Sequence, residues 1–321
     1  MSTDAHDPRG DAAARLGPGA SPRTLEPGRP AVTDGPFFAD DPAAVGDRGA
    51  EPVVTPTSAG DRTWDDIIAE RPEIAAWAAE RWLGNRPALP AIPDGYAAAR
   101  DGYHRLAYGV VAEARRLANT KFGLRYTRGG FGTPFFGADE QVRVEGARLI
   151  HQRGDDASSA EITTLRAAAD FLGIEPGTDA AEHDSPPLGD LDADLGATAA
   201  TGEFLGEWYG FAWAVLEELR LTEGAADPER VQLWPGHFDP AIAMGDADAG
   251  TRATFGLSPG DHNHPEPYLY IGPWGSIDET DEFWNADGFP GAELSFADLA
   301  QSGDQVAAAL AFFRTGFGKL G

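Results

Sequence analysis

The sequence predicts an α+β protein, with a mainly antiparallel sheet and helices packed on one of its faces. Several long stretches repeat apolar residues at helical spacing, and short stretches with the two-residue period of strands lie between them. Strand and helix do not alternate strictly along the chain, which argues against a doubly wound sheet or a TIM barrel. The pattern therefore favours strands and helices that segregate into layers.

The chain divides into a tail and one globular domain. Residues 1–60 contain nine prolines and show no helix or strand period. Ordering such a segment costs roughly 1–2 kcal/mol per residue, and it has little apolar surface to offset that cost. We therefore expect a disordered tail over 1–60 and a single α+β domain over 61–321. Thr63 is the expected cap of its first helix.

The first half of the domain combines two helices with two strand segments. Apolar residues at helical spacing predict a helix over 96–119, and a second helical pattern covers 160–172. Alternating residues predict a strand over 122–127 and another that begins at Val142 and continues toward Ile150.

The second half has a similar order of elements. A strongly apolar helix is expected first, then four short strands, then a closing helix; the ranges are 200–220, 231–235, 252–257, 268–273, 292–296 and 306–317. Two short echoes suggest an internal duplication into similar halves. Ala-Tyr-Gly at 107–109 resembles Trp-Tyr-Gly at 208–210, and Phe-Gly-Leu occurs at 122–124 and 255–257. The sub-lobes would be 61–174 and 199–321, joined by an acidic linker at 175–198.

Composition excludes several classes of protein. The formal charge of −27 disfavours binding to nucleic acid or to anionic lipid. No apolar run is long enough to suggest a membrane span, and the first residues lack the features of a secretory signal. Without cysteine the chain has no disulfide, thiolate nucleophile or cysteine-ligated metal. These features favour a cytoplasmic protein that binds neither nucleic acid nor membrane.

A group of histidines and acids is the best candidate for a site. His237 and Asp239 lie two residues apart in Trp-Pro-Gly-His-Phe-Asp, so on a strand they would share a face. A carboxylate beside an imidazole raises its basicity, which suits a general base. Chain proximity permits this contact without requiring it.

A second group of histidines and acids follows in Ser-Pro-Gly-Asp-His-Asn-His-Pro-Glu-Pro-Tyr. His262 and His264 form a His-x-His pair, and Asp261 and Glu266 could add oxygen ligands. In the catalytic hypothesis His237 or His264 is the general base and Glu266 is an acid or a ligand. The alternative is a loop whose polar groups satisfy the backbone. Because no spacing matches a diagnostic metal motif, the prediction includes no metal or cofactor.

A basic window suggests an anion site. Between 114 and 138 there is no acidic residue, while Arg125, Arg128 and three other residues are basic. Glycines follow Arg128 directly and would let backbone N–H groups approach an anion. Arg125 or Arg128 could then bind a carboxylate or phosphate through two hydrogen bonds. In the alternative, these arginines pair with the protein's own carboxylates.

Aromatic residues are dense in the same region as the histidines. Trp234, Tyr268 and Trp274, together with Phe255 and Tyr270, could line a pocket for a ring or a sugar, although such density more often marks a core. No G-x-S-x-G sequence is present, so a nucleophile elbow has no support.

Two motifs resemble those of a group of actinobacterial proteins of unknown function. They are Trp-Pro-Gly-His-Phe-Asp at 234–239 and the run from Gly-Leu-Ser-Pro-Gly-Asp to Gly-Pro-Trp at 256–274. The resemblance extends through the arginine-rich stretch at 120–137 and so covers most of 60–321. It implies a shared fold and a bacterial cytoplasmic setting, and it implies no activity.

The sequence therefore predicts a small anionic metabolite bound where the histidine, acid and arginine segments meet. One alternative is a metal-dependent hydrolase that uses His237, His264 and Glu266. The other is a non-catalytic scaffold or partner-binding protein, and the choice between enzyme and binding protein stays open.

Overall fold

The computed structural model describes residues 87–320 apart from 128, 135, 137–139, 154–155, 181–184, 221, 223, 230 and 279. The expected tail at 1–60 and the helix capped by Thr63 lie outside these residues. The helices are α1 (Tyr96–Leu106), α2 (Ala112–Asn119), α3 (Leu165–Leu172), α4 (Ala199–Leu219), α5 (Phe296–Ala300) and α6 (Gln305–Lys319). The strands are β1 (Arg125–Thr127), β2 (Gly130–Gly132), β3 (Glu140–Glu145), β4 (Arg148–Arg153), β5 (Asp156–Glu161), β6 (Gln232–Trp234), β7 (Asp239–Met244), β8 (Ala253–Ser258), β9 (Tyr268–Pro273) and β10 (Ala292–Ser295).

The helix predicted over 96–119 forms with a widened centre. α1 and α2 are joined by a π-helical segment, Ala107–Val111, and all five of its residues are buried. The carbonyl of Gly109 in this segment accepts a hydrogen bond of 3.0 Å from the Gly177 N–H. The π-helical turn thus ties the helix to the segment predicted as a linker.

The first sheet is an antiparallel meander in the order β1-β2-β3-β4-β5. The single strand expected from Val142 toward Ile150 is instead the hairpin of β3 and β4, because Gly146 turns the chain with a φ of 56°. β2 and β5 were not predicted. β5 carries Asp-Ala-Ser-Ser-Ala-Glu, is largely exposed and lacks the apolar alternation that marks a half-buried strand.

The second sheet repeats this architecture in the order β10-β9-β8-β7-β6. The two sheets meet where Leu124, just before β1, pairs with Leu233 in β6, with N–H···O distances of 2.9 and 3.0 Å. α4 packs against strands of both sheets. It is apolar on most sides, and Trp208 and Trp213 are fully buried, which is the pattern of a central core helix.

Two similar halves result, as the sequence suggested. Each has a long helix, then a five-stranded antiparallel meander, then a further helix or helix pair. Of the two sequence echoes, Tyr-Gly lies within the long helix of each half, whereas Phe-Gly-Leu precedes β1 in one half and lies in β8 in the other. Only the first echo occupies matching positions.

The described part of the expected linker at 175–198 contains no helix or strand. It contributes Ala180 and Leu195 to the core, and Leu195 N–H donates to the carbonyl of Thr163 at 2.8 Å. The described part of this segment therefore lies against the domain.

Candidate functional site

A cleft of about 820 Å³ lies on the outer face of the second sheet. Along β7 and β8 the larger apolar side chains point into the core, so the alternate residues form the floor of the cleft. These floor residues are small: Ala241, Ala243, Thr254, Ser258 and, from β9, Gly272. Gly256 lies beneath the Tyr270 ring. The concavity exists because the floor residues on β7 and β8 carry little side-chain volume between the larger rings.

The cleft follows the strand direction. In register, Ser258 pairs with Tyr268 at one end, and Gly256 with Tyr270 further along. The Trp274 N–H donates to the Arg252 carbonyl at 2.9 Å at the other end. Trp274 is the sixth residue after Tyr268, so the floor is about 20 Å long at about 3.3 Å per residue.

Tyr270 crosses the sheet above Gly256 and bonds to Asp239. A Cβ on Gly256 would lie 2.4 Å from the Tyr270 ring, so glycine is needed for this crossing. The Tyr270 hydroxyl donates to the Asp239 carboxylate, which is only 3% exposed. Burial, and then the neighbouring Asp239 charge, raise the pKa of Tyr270 well above its usual value. Tyr270 is therefore a neutral donor to the carboxylate.

Tyr268 and Asp261 form a second pair of the same kind. The Tyr268 hydroxyl donates to Asp261 Oδ2 at 2.8 Å, and the Asn263 and His264 N–H groups donate to Oδ1 at 2.7 and 2.9 Å. Burial tends to raise the pKa of Asp261, but these hydrogen bonds outweigh it and the pKa is lowered. Asp261 is therefore ionised at neutral pH. Burial and Asp261 raise the pKa of Tyr268.

His237 lies on the rim, in the four-residue turn between β6 and β7. The turn closes through a hydrogen bond of 2.7 Å from the Phe238 N–H to the Trp234 carbonyl. Phe238 has a φ of 60°, a left-handed conformation that costs a non-glycine residue roughly 1–2 kcal/mol. Its ring is buried, and it leaves His237 exposed at the cleft.

Three side chains hold this turn from below. The Tyr209 hydroxyl donates to the Phe238 carbonyl at 2.8 Å, and the Ser185 hydroxyl donates to the Gly236 carbonyl at 3.0 Å. His104 on α1 stacks on the Phe238 ring with centroids 5.1 Å apart. The strained turn is thus fixed by elements from both halves.

His104 is neutral at physiological pH. Its Nε2 lies 3.1 Å and 2.9 Å from the carbonyl oxygens of Pro235 and Gly236, so this nitrogen carries the proton and donates. Burial lowers the pKa of His104 to about 4, although the two carbonyl contacts act in the opposite direction.

Trp274 forms the far end of the cleft and is 60% exposed. Its Nε1–H donates to Thr254 Oγ1 at 2.9 Å, and the Arg252 guanidinium lies 4.9 Å from its ring centroid. Arg252 in turn donates to Glu229 at 2.6 Å. The indole is therefore held in place while much of it faces solvent.

The lining of the cleft is aromatic and acidic. Among the described residues it includes five large aromatic rings and three carboxylates, and no lysine or arginine. The rings are those of Trp234, Tyr268, Tyr270, Trp274 and Phe289, and the carboxylates are those of Glu229, Asp239 and Asp261.

The structure brings together His237, Asp239, Trp234, Tyr268 and Trp274 from the predicted set. His262 and Asp261, which were considered with the second group, also line the cleft. Sequence reasoning counted Tyr270 among the aromatics that could line a pocket but did not select it as a site residue, and it gave no role to Phe289. Along β9, the two-residue period that places Leu269 and Ile271 in the core puts Tyr270 on the outer face. This alternation could therefore have predicted that Tyr270 lies at the site.

His264 and Glu266 do not line the cleft. His264 lies between two carboxylates, with Nε2 3.3 Å from Glu293 and Nδ1 3.5 Å from Asp261. Burial raises the pKa of Glu293. Glu266 is exposed on the loop. The loop turns at Gly260, whose φ is 95°, so the strand-face argument does not apply to these residues.

No arginine or lysine from the described part of the basic window lines the cleft. Arg125 is buried on β1, and Arg128 lies outside the described residues. Arg116 makes two hydrogen bonds to Glu113, at 2.7 and 2.6 Å, and Arg115 donates to the Gly123 carbonyl. For Arg116 the structure matches the alternative of pairing with the protein's own carboxylates.

Within the described part of the chain, no three His, Asp or Glu side chains form a group that could hold a metal ion. None of the helices in that part combines the length and apolarity needed to cross a membrane.

Comparison of the chain with protein-family models, with curated proteins and with solved structures found no match.

Proposed function

We propose that the cleft binds a carbohydrate. The observation that carries this proposal is the combination of a flat floor of small residues, aromatic rings along its length and carboxylates near one end. Sites for small organic ligands combine apolar or aromatic walls with a few polar groups that fix orientation. A sugar offers both an apolar ring face and hydroxyl donors, so it matches both parts of this lining.

The aromatic rings supply the stacking surfaces. Trp274 presents a supported and exposed indole at one end, and Trp234 pairs in register with Asp239 at the other. Large aromatic side chains stack on flat ligands at little conformational cost. The length of the floor, about 20 Å, accommodates several sugar rings in a row.

The carboxylates orient the bound sugar. Hydroxyl groups that donate to an ionised carboxylate make short, strong hydrogen bonds. Asp239 and Asp261 are each held by a tyrosine hydroxyl, so their positions are set before a ligand arrives. Such preorganisation reduces the entropy that binding must overcome.

The small anionic metabolite predicted from the sequence stays a prediction. A carboxylate or phosphate requires cationic donors, and the described lining has no lysine or arginine. A scaffold role would leave the cleft without a use, so the proposal favours ligand binding.

An array of neutral, acidic and amino oligosaccharides tests the proposal, followed by calorimetric titration of the strongest binder. We expect Trp274→Ala to weaken binding about tenfold or more, because loss of one aromatic stacking partner costs roughly 1–3 kcal/mol. Leu117→Ala on α2 is the matched control, since Leu117 is the other strongly exposed large apolar side chain in the described part, at 54%. Absence of binding to any oligosaccharide would overturn the proposal. Binding of anionic metabolites instead would restore the prediction from the sequence.

A further inference from the structure

We infer that the outer edge of β5 is a self-association surface, where β5 of a second copy of the chain pairs antiparallel about a two-fold axis at Ser159. The inference does not depend on the ligand of the cleft. It follows from a comparison of the two outermost strands, β5 in the first sheet and β10 in the second. An unpaired strand edge is a template for pairing with another chain unless the protein blocks it.

The edge of β10 is closed by one side chain. The Glu293 N–H donates to Asn285 Oδ1 at 2.8 Å, and Asn285 Nδ2 donates to the Glu293 carbonyl at 3.2 Å. The Asn285 amide thus takes both backbone groups that Glu293 offers on the side away from β9. Another strand could pair at this residue only by displacing that amide.

The edge of β5 is open. The Ile162 N–H donates to the Ala147 carbonyl at 3.0 Å, so every second residue back along β5 bonds to β4 and the residues between face outward. The outward residues are Ala157, Ser159 and Glu161. In the part of the chain that the structure describes, no group bonds to their backbone N–H or carbonyl. The next outward residue, Thr163, accepts from the Leu195 N–H at 2.8 Å, so the open stretch ends there.

The composition of β5 permits a second strand to approach. Its centre is Ala-Ser-Ser-Ala, all exposed or half-buried, and it has no proline or lysine of the kind that usually blocks an edge. Counting histidine as neutral, the two arginines of β4 and the two acids of β5 cancel in formal charge, within a chain of −27. Repulsion between two copies is therefore locally weak at this edge.

The charged side chains beside the edge favour a second copy as the partner. Glu161 is the direct cross-strand neighbour of Arg148, yet Arg148 donates from Nε and Nη2 to Ser159 Oγ, with an Nε distance of 3.2 Å. The guanidinium therefore lies over the centre of the open edge. Glu161 forms no ion pair with any residue that the structure describes.

A two-fold axis at Ser159 uses both features. In this register Ser159 lies opposite its own copy and Ala157 lies opposite Glu161 of the second copy, so the outward backbone groups of all three residues find partners. Glu161 of each copy is then diagonal to Ser159 of the other, within reach of the guanidinium of Arg148 there. No like charges lie directly opposite each other. The same patch serves both copies, as a closed two-fold dimer requires.

Sedimentation equilibrium of the full chain over a range of concentrations tests this inference. The mass is expected to rise from 33.9 kDa toward twice that value. Salt at about 0.15 M limits the repulsion between two negative copies, because the Debye length is then about 8 Å. A mass that stays at 33.9 kDa up to about 1 mM would overturn the inference and leave a strand of another protein as the occupant of the edge.

Ser159→Pro removes a backbone N–H that faces away from β4. It should abolish the dimer while the hydrogen bonds between β4 and β5 stay in place. Ser159→Ala is the matched control, because it removes the same hydroxyl and keeps the N–H, and it should still dimerise. Thermal melting checks that both variants are folded. A dimer that survives in folded Ser159→Pro would place the contact elsewhere and overturn the inference.

The charge reversals Arg148→Glu and Glu161→Arg test the register and the identity of the partner. Each variant alone places like charges across the two-fold axis and should weaken self-association at least about tenfold. In an equimolar mixture of the two variants every facing pair is again of opposite charge, so the mixture should regain the dimer. A mixture that associates no better than its components would overturn the inference. These variants decide the result if Ser159→Pro fails to fold.

Discussion

The outer faces of the two sheets differ in residue size, and that difference decides which half has a cleft. On β3 the outward residues are Gln141 and Arg143, whereas on β8, the third strand of its own meander, they are Thr254, Gly256 and Ser258. Arg143 donates to Gln152 at 2.9 Å, and Gln141 donates to the Thr133 carbonyl at 3.0 Å. The same architecture therefore gives a filled face in one half and an open one in the other.

The largest expected effect concerns His104, which links a helix of the first half to the turn at the cleft. Its pKa in the folded protein is about 4, below the ordinary value of 6.5. As pH falls below 6.5 the unfolded chain takes up the proton first, so stability present above 6.5 is lost progressively toward pH 4. The greatest loss in unfolding free energy from this one group is about 3 kcal/mol.

Denaturant unfolding of the wild type and of His104→Gln from pH 7 to pH 4 measures this effect. Carboxylates that titrate in the same range are common to both proteins, so the difference between the two curves isolates His104. His262→Gln, at an exposed position, is the matched control. Parallel curves for the wild type and His104→Gln would show that His104 does not act in this way.

Gly256→Ala adds side-chain volume to the open outer face of the second sheet, which makes it more like the filled face of the first. The added Cβ would lie 2.4 Å from the Tyr270 ring, so the tyrosine must move, and we expect its hydrogen bond to Asp239 to break. We expect a loss of about 2 kcal/mol in unfolding free energy, together with loss of ligand binding. Gly272→Ala is the matched control, because a Cβ there meets nothing within 4 Å. Similar stability of the two variants would contradict the packing described here.

Arg143→Ala tests the filled face. Its removal breaks the hydrogen bonds that Arg143 donates to the side-chain oxygens of Gln141 and Gln152, at a cost of about 1–2 kcal/mol in unfolding free energy. Arg148→Ala on neighbouring β4 should cost less than about 0.5 kcal/mol, since its bonds to Ser159 are exposed. Chemical denaturation measures the unfolding free energy of both variants. Equal losses would mean that the buried hydrogen bonds of Arg143 stabilise the fold no more than the exposed bonds of Arg148.

The sequence predicted the helices and the fold class better than the strands. Apolar stripes located α4 and α6 because each buries large side chains at regular spacing. β7 was missed because Asp-Pro-Ala-Ile-Ala-Met has a proline and small alternate residues, which are typical of a loop. That smallness creates the floor of the cleft, so the feature that hid the strand is the one that makes the site.

The candidate site was predicted in part. Tryptophan, histidine and acid density near 234–274 located the correct sheet, because pairing of consecutive strands brings those residues onto one face. The association of His264 and Arg125 with this cleft depended on the path of a loop and on the packing between sheets. Spacing along the chain carries no information about either, and both residues lie elsewhere.

The position of α4 determines whether the two halves can be expressed as separate fragments. Although α4 begins the second half, it covers strands of the first sheet as well as the second. A fragment truncated before Ala199 would expose the inner side of its sheet to water, and a fragment beginning there would carry a bare apolar helix surface. Separately expressed halves are therefore expected to aggregate unless they are produced together, so the duplicated architecture is one cooperative unit.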